Sequence, residues 1–144
     1  MNQFWKMYIA ASWKTAKLYE RVFAEVLERF DLTPNEKDVL LFLYNNEGYD
    51  TASDIVRHRS ISKSLVSKSI DSLGQRGYLN VRQDEVDRRI MHLILTDEAR
   101  MIAKELKAVQ EDFFKMVGEC FTREEGEQFL LLIEKLIDNV ERHL

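Results

Sequence analysis

The sequence predicts a mostly α-helical protein with one small β-hairpin, an α+β fold in a single domain over residues 1–144. Only five Gly and one Pro interrupt the chain, which leaves room for long helices. Apolar residues return at helical spacing near both ends, whereas two short segments after residue 77 have strand character. The length suits one core of ordinary size, so we expect no second domain.

A long first helix is predicted over residues 5–29, where apolar side chains return every three or four residues from Trp5 to Phe23. A second helix should follow and end near residue 46. Thr33 can cap it, a proline stands at its first position, and Glu36 can complete a capping box. Its buried residues are expected to be Val39, Leu40, Phe42 and Leu43.

Two shorter helices, separated by a tight turn, are predicted next. Thr51 and Asp54 form a capping box for a helix that ends near residue 58. Ser62 can cap the following helix, and Gly77 should end it soon after residue 76. One face of that helix is apolar, with Val66, Ile70 and Leu73. The opposite face carries Lys63, Ser64, Ser67, Lys68 and Asp71.

A hairpin should follow this helix pair directly. Residues 78–83 and 89–95 have strand character, and the second segment alternates with a period of two. A polar connection, residues 84–88, lies between them. Two helices followed by a hairpin are the outline of a winged helix-turn-helix, a lobe that we assign to residues 32–96.

Two more helices are predicted for the C-terminal part of the chain. Thr96 can cap a long connecting helix over residues 97–119. Thr122 and Glu125 form a third capping box, which opens the last helix.

Apolar stripes at both ends of the chain are wider than a small domain needs for its own core. They predict a homodimer whose interface uses residues 1–30 and 120–144. The residues expected in this interface are Trp5, Ile9, Phe129, Leu132, Ile133, Leu136 and Val140.

Charge is divided unevenly along the chain, whose net charge is −4. Residues 51–92 hold eight cations and five anions, whereas the rest of the chain is acidic. The middle is therefore the candidate surface for a polyanion such as nucleic acid. A lone cysteine, Cys120, and three scattered histidines form no cluster at ligand spacing, so we expect neither a metal nor another cofactor.

The helix that Ser62 caps has the properties that reading a major groove requires, because short polar side chains and cations lie on its exposed face. The candidate DNA contacts there are Ser62, Lys63, Ser64, Ser67 and Lys68. The alternative is a polar face that only meets solvent, and the hairpin that follows makes this alternative less favoured.

Arginines of the hairpin are candidates for a narrow minor groove or for phosphates, because their charge is permanent and their donors form a fork. They are Arg82, Arg88 and Arg89. Asp87 is positioned to orient Arg89 by a charge-assisted hydrogen bond, and an ordinary surface ion pair is the alternative. Asp84 and Glu85 are unfavourable at a wing tip that meets DNA, so the tip either turns them away or does not insert.

Four segments of the central region form a recognisable pattern. They are Thr51-Ala-Ser-Asp-Ile-Val, Ser62-Lys-Ser-Leu-Val-Ser-Lys-Ser-Ile-Asp-Ser-Leu73, Gly77-Tyr-Leu79, and Asp87-Arg-Arg89 through Leu95-Thr96. With them the chain resembles the multiple-antibiotic-resistance regulator (MarR) family, and the resemblance extends over nearly the whole chain. The Asp-Arg-Arg and Leu-Thr elements, in their helix-hairpin-helix setting, are the most specific part.

The resemblance implies a homodimeric transcriptional regulator, usually a repressor, that binds palindromic double-stranded DNA and responds to small molecules, oxidants or metals. In that family the helix matching residues 62–76 enters the major groove, the arginine matching Arg89 contacts DNA, and the aspartate matching Asp87 steadies the wing. Family effector pockets imply an aromatic-lined site as one alternative, and core packing is the favoured one. The aromatic residues concerned are Tyr8, Trp13, Tyr19 and Phe23.

Other classes of function find less support. The sequence contains no Gly-rich phosphate loop and no recognisable catalytic triad, so we do not expect an enzyme. A winged-helix module that binds protein and not DNA is the second candidate, because Asp84, Glu85 and the net negative charge leave it open. The first residues do not have the basic segment and apolar run of a signal peptide, and the apolar stretches of the sequence are too short to span a bilayer. We therefore expect a cytoplasmic location.

Overall fold

A computed structural model describes residues 2–144 and has the predicted mostly helical architecture with one hairpin. Its elements are α1 (Asn2–Phe30), α2 (Pro34–Asn45), α3 (Ala52–Arg59), α4 (Lys63–Gln75), β1 (Leu79–Gln83), β2 (Met91–Leu95), α5 (Asp97–Gly118) and α6 (Arg123–Glu141). The chain divides into two compact units, and the boundary falls within α5, after Val109. No helix of the described residues has an apolar stretch long enough to cross a membrane.

Side-chain caps start five helices where the sequence predicts them, including α5, where the hydroxyl of Thr96 accepts from the backbone N–H of Ala99. Thr33, Thr51 and Thr122 each accept a hydrogen bond from the backbone N–H three residues later. The acidic side chain at that later position accepts from the backbone N–H of the threonine, which completes three capping boxes. Ser62 caps α4 by accepting from the backbone N–H of Leu65. Each cap satisfies donors that the first helical turn leaves free.

The second helix, α2, lies at the centre of the first unit. It contacts α1, α3, α4 and β2, and Val39, Leu40 and Leu41 have no exposed surface. Leu41 is more deeply buried than Leu43, which the sequence predicts as a core residue and which is only half-buried. The reason is that neighbours cover α2 from several sides, so its burial is not confined to one amphipathic face.

The hairpin packs its inward side chains on the same core. β1 and β2 pair antiparallel, with Arg82 opposite His92, and Leu79, Leu93 and Leu95 are buried. β2 begins two residues later than predicted, because the backbone N–H of Ile90 donates to the carbonyl oxygen of Asp87 within the turn. β1 ends at residue 83 as predicted and begins one residue later, at Leu79. The hairpin therefore ends in a hydrogen-bonded turn that projects from the core.

Arg76, directly after α4, is turned inward. Its guanidinium donates to the carbonyl oxygens of Phe30 and Asp31, each at 2.7 Å. It also lies 3.6 Å from the carboxylate of Glu36, whose side chain is only 5% exposed. These contacts tie the end of α1 and the start of α2 to the end of α4. Gly77 then turns the chain with a φ of +78°, the left-handed conformation that the sequence predicts for it.

Replacing Arg76 by Ala should lower the free energy of unfolding by about 1–3 kcal/mol, because the buried carboxylate of Glu36 loses its cation and two carbonyl oxygens lose their donor. Urea denaturation at a fixed protein concentration measures the change. Arg123→Ala is the control, since it breaks an exposed ion pair with Glu127 and should cost less than about 1 kcal/mol. Equal costs for the two variants would contradict the structural role of Arg76.

Candidate nucleic-acid interface

The side chains of α4 divide between an inward and an outward face. Val66, Ser69 and Leu73 are buried, and the Ser69 hydroxyl donates to the carbonyl oxygen of Leu65 at 2.9 Å. Ile70 is only half-buried, because it lies at the edge of the inward face. The residues that the sequence predicts to contact DNA from this helix are all exposed: Ser62, Lys63, Ser64, Ser67 and Lys68.

A shallow depression of about 230 Å³ separates the exposed sides of α3 and α4. Lys63 and Ser67 line it from α4, and Ser53 and Arg57 line it from α3. The guanidinium of Arg57 is largely exposed and lies 3.7 Å from the carboxylate of Asp54. Hydroxyls and cations therefore stand side by side on the helix pair, and these are groups that contact phosphates and base edges.

Leu65 is an exposed apolar residue on the first turns of α4. It precedes the buried Val66 and therefore points about 100° away from it around the helix. An apolar side chain at this end of a groove-reading helix is suited to contact a thymine methyl group. Leu65 is not among the contacts that the sequence predicts, although its angular offset from the apolar residues of the helix follows from its position in the chain.

Arg89 and Asp87 form a two-pronged ion pair in the wing. The Nε of Arg89 donates to Oδ1 of Asp87 at 3.0 Å, and its NH2 donates to Oδ2 at 2.8 Å. The backbone N–H of Arg89 also donates to Oδ1. These hydrogen bonds lower the pKa of Asp87 and raise that of Arg89. The predicted pairing is present, and it holds a guanidinium that is 90% exposed in one orientation.

Asp84 is turned into the wing and not towards its tip. Its Oδ2 accepts from the backbone N–H groups of Val86 and Asp87 at 2.9 and 2.8 Å. Its Oδ1 lies 2.8 Å from Nε2 of His92. The hydrogen bond from His92 and the two backbone donors lower the pKa of this carboxyl to about 2. Of the two anions that the sequence places near the tip, Asp84 is thus bound within the wing, whereas Glu85 is exposed. The most exposed side chain of this turn is that of Val86, at 95%.

His92 joins the wing to the segment that precedes α3. Its Nδ1 lies 2.7 Å from Oδ1 of Asp50, and the backbone N–H of Leu93 donates to the carbonyl oxygen of Asp50 at 2.8 Å. Hydrogen bonds with Asp84 and Asp50 raise the pKa of this histidine above its usual 6.5. His92 is not among the site residues that the sequence predicts. Its contact with Asp84 joins residues of one hairpin eight positions apart, but no local signal indicates the contact with Asp50, which lies 42 positions earlier in the chain.

The remaining cations of the central region differ in whether their side chains are exposed to a DNA partner. Arg82 and Arg88 are exposed on the hairpin. Arg76, which counts among the cations of the central region, is instead bound to backbone carbonyls and to Glu36. The sequence count of cations therefore includes a residue, Arg76, that is engaged within the fold.

The aromatic residues of α1 do not share one environment. Phe23 is fully buried and Tyr19 packs against the core, with the Nζ of buried Lys37 4.5 Å from the centre of each ring. Trp13, by contrast, is 73% exposed, and Tyr8 is half-buried. Within residues 2–144, no group of three or more His, Cys, Asp or Glu side chains is arranged to hold a metal ion.

Comparison with known proteins gives matches over most of the chain. A model of the MarR family matches residues 30–90. The transcriptional regulator AdcR of Streptococcus pneumoniae is 37% identical over 109 residues, which are 74% of this chain and 74% of that protein.

Solved structures share the fold at lower identity. The S. aureus MepR–DNA complex superimposes with a TM-score of 0.79 at 19% identity, covering 92% of this chain and 97% of that one. Streptococcus pneumoniae FabT in complex with DNA gives a TM-score of 0.77 at 20% identity and covers both chains completely. These likenesses confirm the fold class.

Proposed function

Because this chain belongs to the MarR family of DNA-binding transcriptional regulators, we propose that it is a repressor that binds an inverted-repeat operator as a homodimer. Residues 32–96 form the DNA-binding lobe, residues 97–119 the connecting helix, and residues 1–30 and 120–144 the dimerisation region. Its relatives are transcriptional regulators and not enzymes, as the sequence predicts.

The observation that carries the proposal is the pairing of Asp87 with Arg89. Arg89 lines a depression with Ser53 of α3, and Ser53 also lines the depression that α3 shares with Lys63 and Ser67 of α4. A guanidinium held by two side-chain hydrogen bonds but 90% exposed is oriented before DNA arrives, so less side-chain entropy is lost on contact. We assign Arg89, Arg82 and Arg88 to backbone or minor-groove contacts. Residues 62–68 enter the major groove, where hydroxyls and lysines reach base edges and phosphates.

The DNA in the structures of MepR and FabT supports the same use of this fold here. A winged-helix module that binds only protein is less favoured, because family membership supplies a DNA partner and because Asp84 is withdrawn from the tip. Modulation by a small ligand remains part of the proposal at the level of the family alone.

Exposed apolar surface supports the homodimer. Every described residue of α6 is at least partly exposed, and Leu132 is 66% exposed. The second unit also has an apolar depression of about 610 Å³, lined in part by Phe114, Phe121, Phe129 and Ile133. Exposed apolar side chains that lie together in this way are typical of an interaction site. In α1, the predicted Trp5 and Ile9 are 44% and 43% exposed.

Leu132→Asp should convert the dimer into a monomer, because a charge in an apolar interface is strongly unfavourable. Sedimentation equilibrium at low micromolar concentration should give the parent a mass near twice 17.1 kDa. Leu132 is mostly exposed within one chain, so the loss of association is separable from loss of the chain's own core. Met101→Asp, at a residue 72% exposed on α5, is the matched control and should stay dimeric. A folded, monomeric parent would defeat this part of the proposal.

Arg89→Ala should weaken binding to specific and random duplexes alike, because a wing cation meets mainly the DNA backbone or minor groove. Losing one phosphate contact per subunit should flatten the slope of log affinity against log salt by about two per dimer. Fluorescence anisotropy titrations at several salt concentrations measure both quantities. Arg100→Ala, which removes an exposed arginine of α5, is the control. Unchanged affinity and slope in Arg89→Ala would refute the wing contact.

Ser67→Ala should relax sequence preference at one position per half-site by about 1 kcal/mol without changing the salt slope, because a hydroxyl reads a base edge and neutralises no phosphate. Binding selection from random DNA, run on parent and variant, provides the comparison. The parent should return an inverted repeat with half-site centres about 10 bp apart. Asymmetric sites, or half-sites whose spacing is unconstrained, would count against the symmetric dimer.

A further inference from the structure

The ring of His92 is held between two carboxylates that belong to different parts of the lobe. Asp50 lies in the segment between α2 and α3, and Asp84 lies in the turn of the hairpin. The two contacts involve different ring nitrogens, at 2.7 Å to Asp50 and 2.8 Å to Asp84. The side chains are partly buried, with 21% of His92, 36% of Asp50 and 28% of Asp84 exposed. The arrangement is a bridge across the base of the wing.

Both hydrogen bonds require a proton on the ring nitrogen, because an ionised carboxylate can only accept. A neutral imidazole has one N–H and can satisfy only one of the two carboxylates. The protonated ring has two and satisfies both. Full assembly of the bridge therefore depends on an imidazolium, and deprotonation releases one of its two links.

A continuous set of hydrogen bonds leads from this ring to the exposed arginine of the wing. Asp84, held by His92, accepts from the backbone N–H of Asp87. The carboxylate of Asp87 in turn orients the guanidinium and the backbone of Arg89. Each step joins groups that are 2.7–3.0 Å apart.

We propose that His92 is a positioning residue for DNA binding. As an imidazolium bridging Asp50 and Asp84, it holds the wing in the position that presents Arg89, and DNA affinity falls when the ring loses its proton. This inference rests on the proposed role of Arg89 as a DNA contact.

The charges around the ring favour its protonated form. Besides Asp50 and Asp84, the depression at the hairpin turn includes Glu85, and Arg82 faces the ring from the opposite position of β1. Two carboxylates therefore contact the ring, and one further anion, Glu85, and one cation, Arg82, line the depression beside it. The neighbouring helix α2, which also packs against β2, has its buried Lys37 in an ion pair with Asp38 at 3.0 Å.

The direction of the pH effect follows from these contacts. The pKa of His92 is raised above 6.5. Its contribution to the stability of the bridge is therefore complete below about pH 6.5 and is lost as the pH rises through the raised pKa. The pKa of Asp84 is lowered from 3.8 to about 2. Its contribution to the stability of the bridge is therefore complete above about pH 4 and is lost as the pH falls towards 2. The bridge is therefore intact in mildly acidic solution and opens on the alkaline side.

Anisotropy titrations of the full chain with an operator duplex, between pH 5.5 and 9 at constant ionic strength, test the proposal. The parent should lose at least about fivefold in affinity as pH rises, the lower end of ordinary coupling between linked equilibria. His92→Gln should give a flat profile over this range. Asp50→Asn should give a flatter profile than the parent, because the amide NH2 can donate to an unprotonated ring nitrogen and keep both links of His92 without an imidazolium. His58→Gln is the matched control, because His58 contacts the rings of Phe42 and Tyr49, and it should retain the parent profile.

An NMR titration of the His92 ring protons gives an independent readout. The pKa of His92 should be above 6.5 in the free protein and higher again in the DNA complex. If protonation of the ring strengthens DNA binding, DNA binding must strengthen protonation of the ring by the same factor. Arg89→Ala should lower affinity and also flatten the pH profile. If Arg89→Ala weakens binding while His92→Gln keeps the parent profile, the bridge proposal is overturned and the wing contact stands. If Arg89→Ala binds as tightly as the parent, the wing contact fails, and this proposal fails with it.

Discussion

Val39, Leu40 and Leu41 have no exposed surface, because α2 lies against α1, α3, α4 and β2 at once. Burial of apolar area is the dominant favourable term in folding, and here it also sets the geometry of the lobe. The elements that form the candidate DNA surface pack on one helix. Their relative positions are therefore as rigid as a close-packed core allows.

Polar contacts then fix the parts that the core does not reach. Arg76 ties the end of α4 to the end of α1 and to Glu36. The hairpin turn projects beyond the buried Leu93 and depends on the carboxylates of Asp84 and Asp87 for its shape. Apolar packing thus positions the helices, and charge-assisted hydrogen bonds position the wing.

Net charge alone would have argued against a nucleic-acid partner, since the chain carries −4. Its distribution resolves the difficulty, because cations concentrate between residues 51 and 92 and acidic residues lie towards the ends. Within that region the structure withdraws charges of both signs from the surface. Arg76 is engaged by Glu36, and Asp84 is engaged by His92. What stays exposed includes lysines, arginines and hydroxyls suited to a phosphate backbone, together with two anions, Asp71 and Glu85.

The sequence by itself determined the elements and the local pairs. Caps at Thr33, Thr51 and Thr122 and the fork of Asp87 on Arg89 join residues two or three positions apart. Such contacts follow from spacing alone. The exposed face of α4 was equally predictable, because a helix with three buried residues on one side leaves the other side free.

Only the tertiary structure decided what depends on residues distant in the chain. His92 meets Asp50 across 42 positions, and Arg76 meets Phe30 across 46. Leu41 is buried because other elements cover its side of α2. Periodicity identifies one buried face of a helix, but it carries no information about which distant groups pack against the other faces or meet a polar side chain. These contacts exist only in the folded chain, where elements distant in sequence pack against one another.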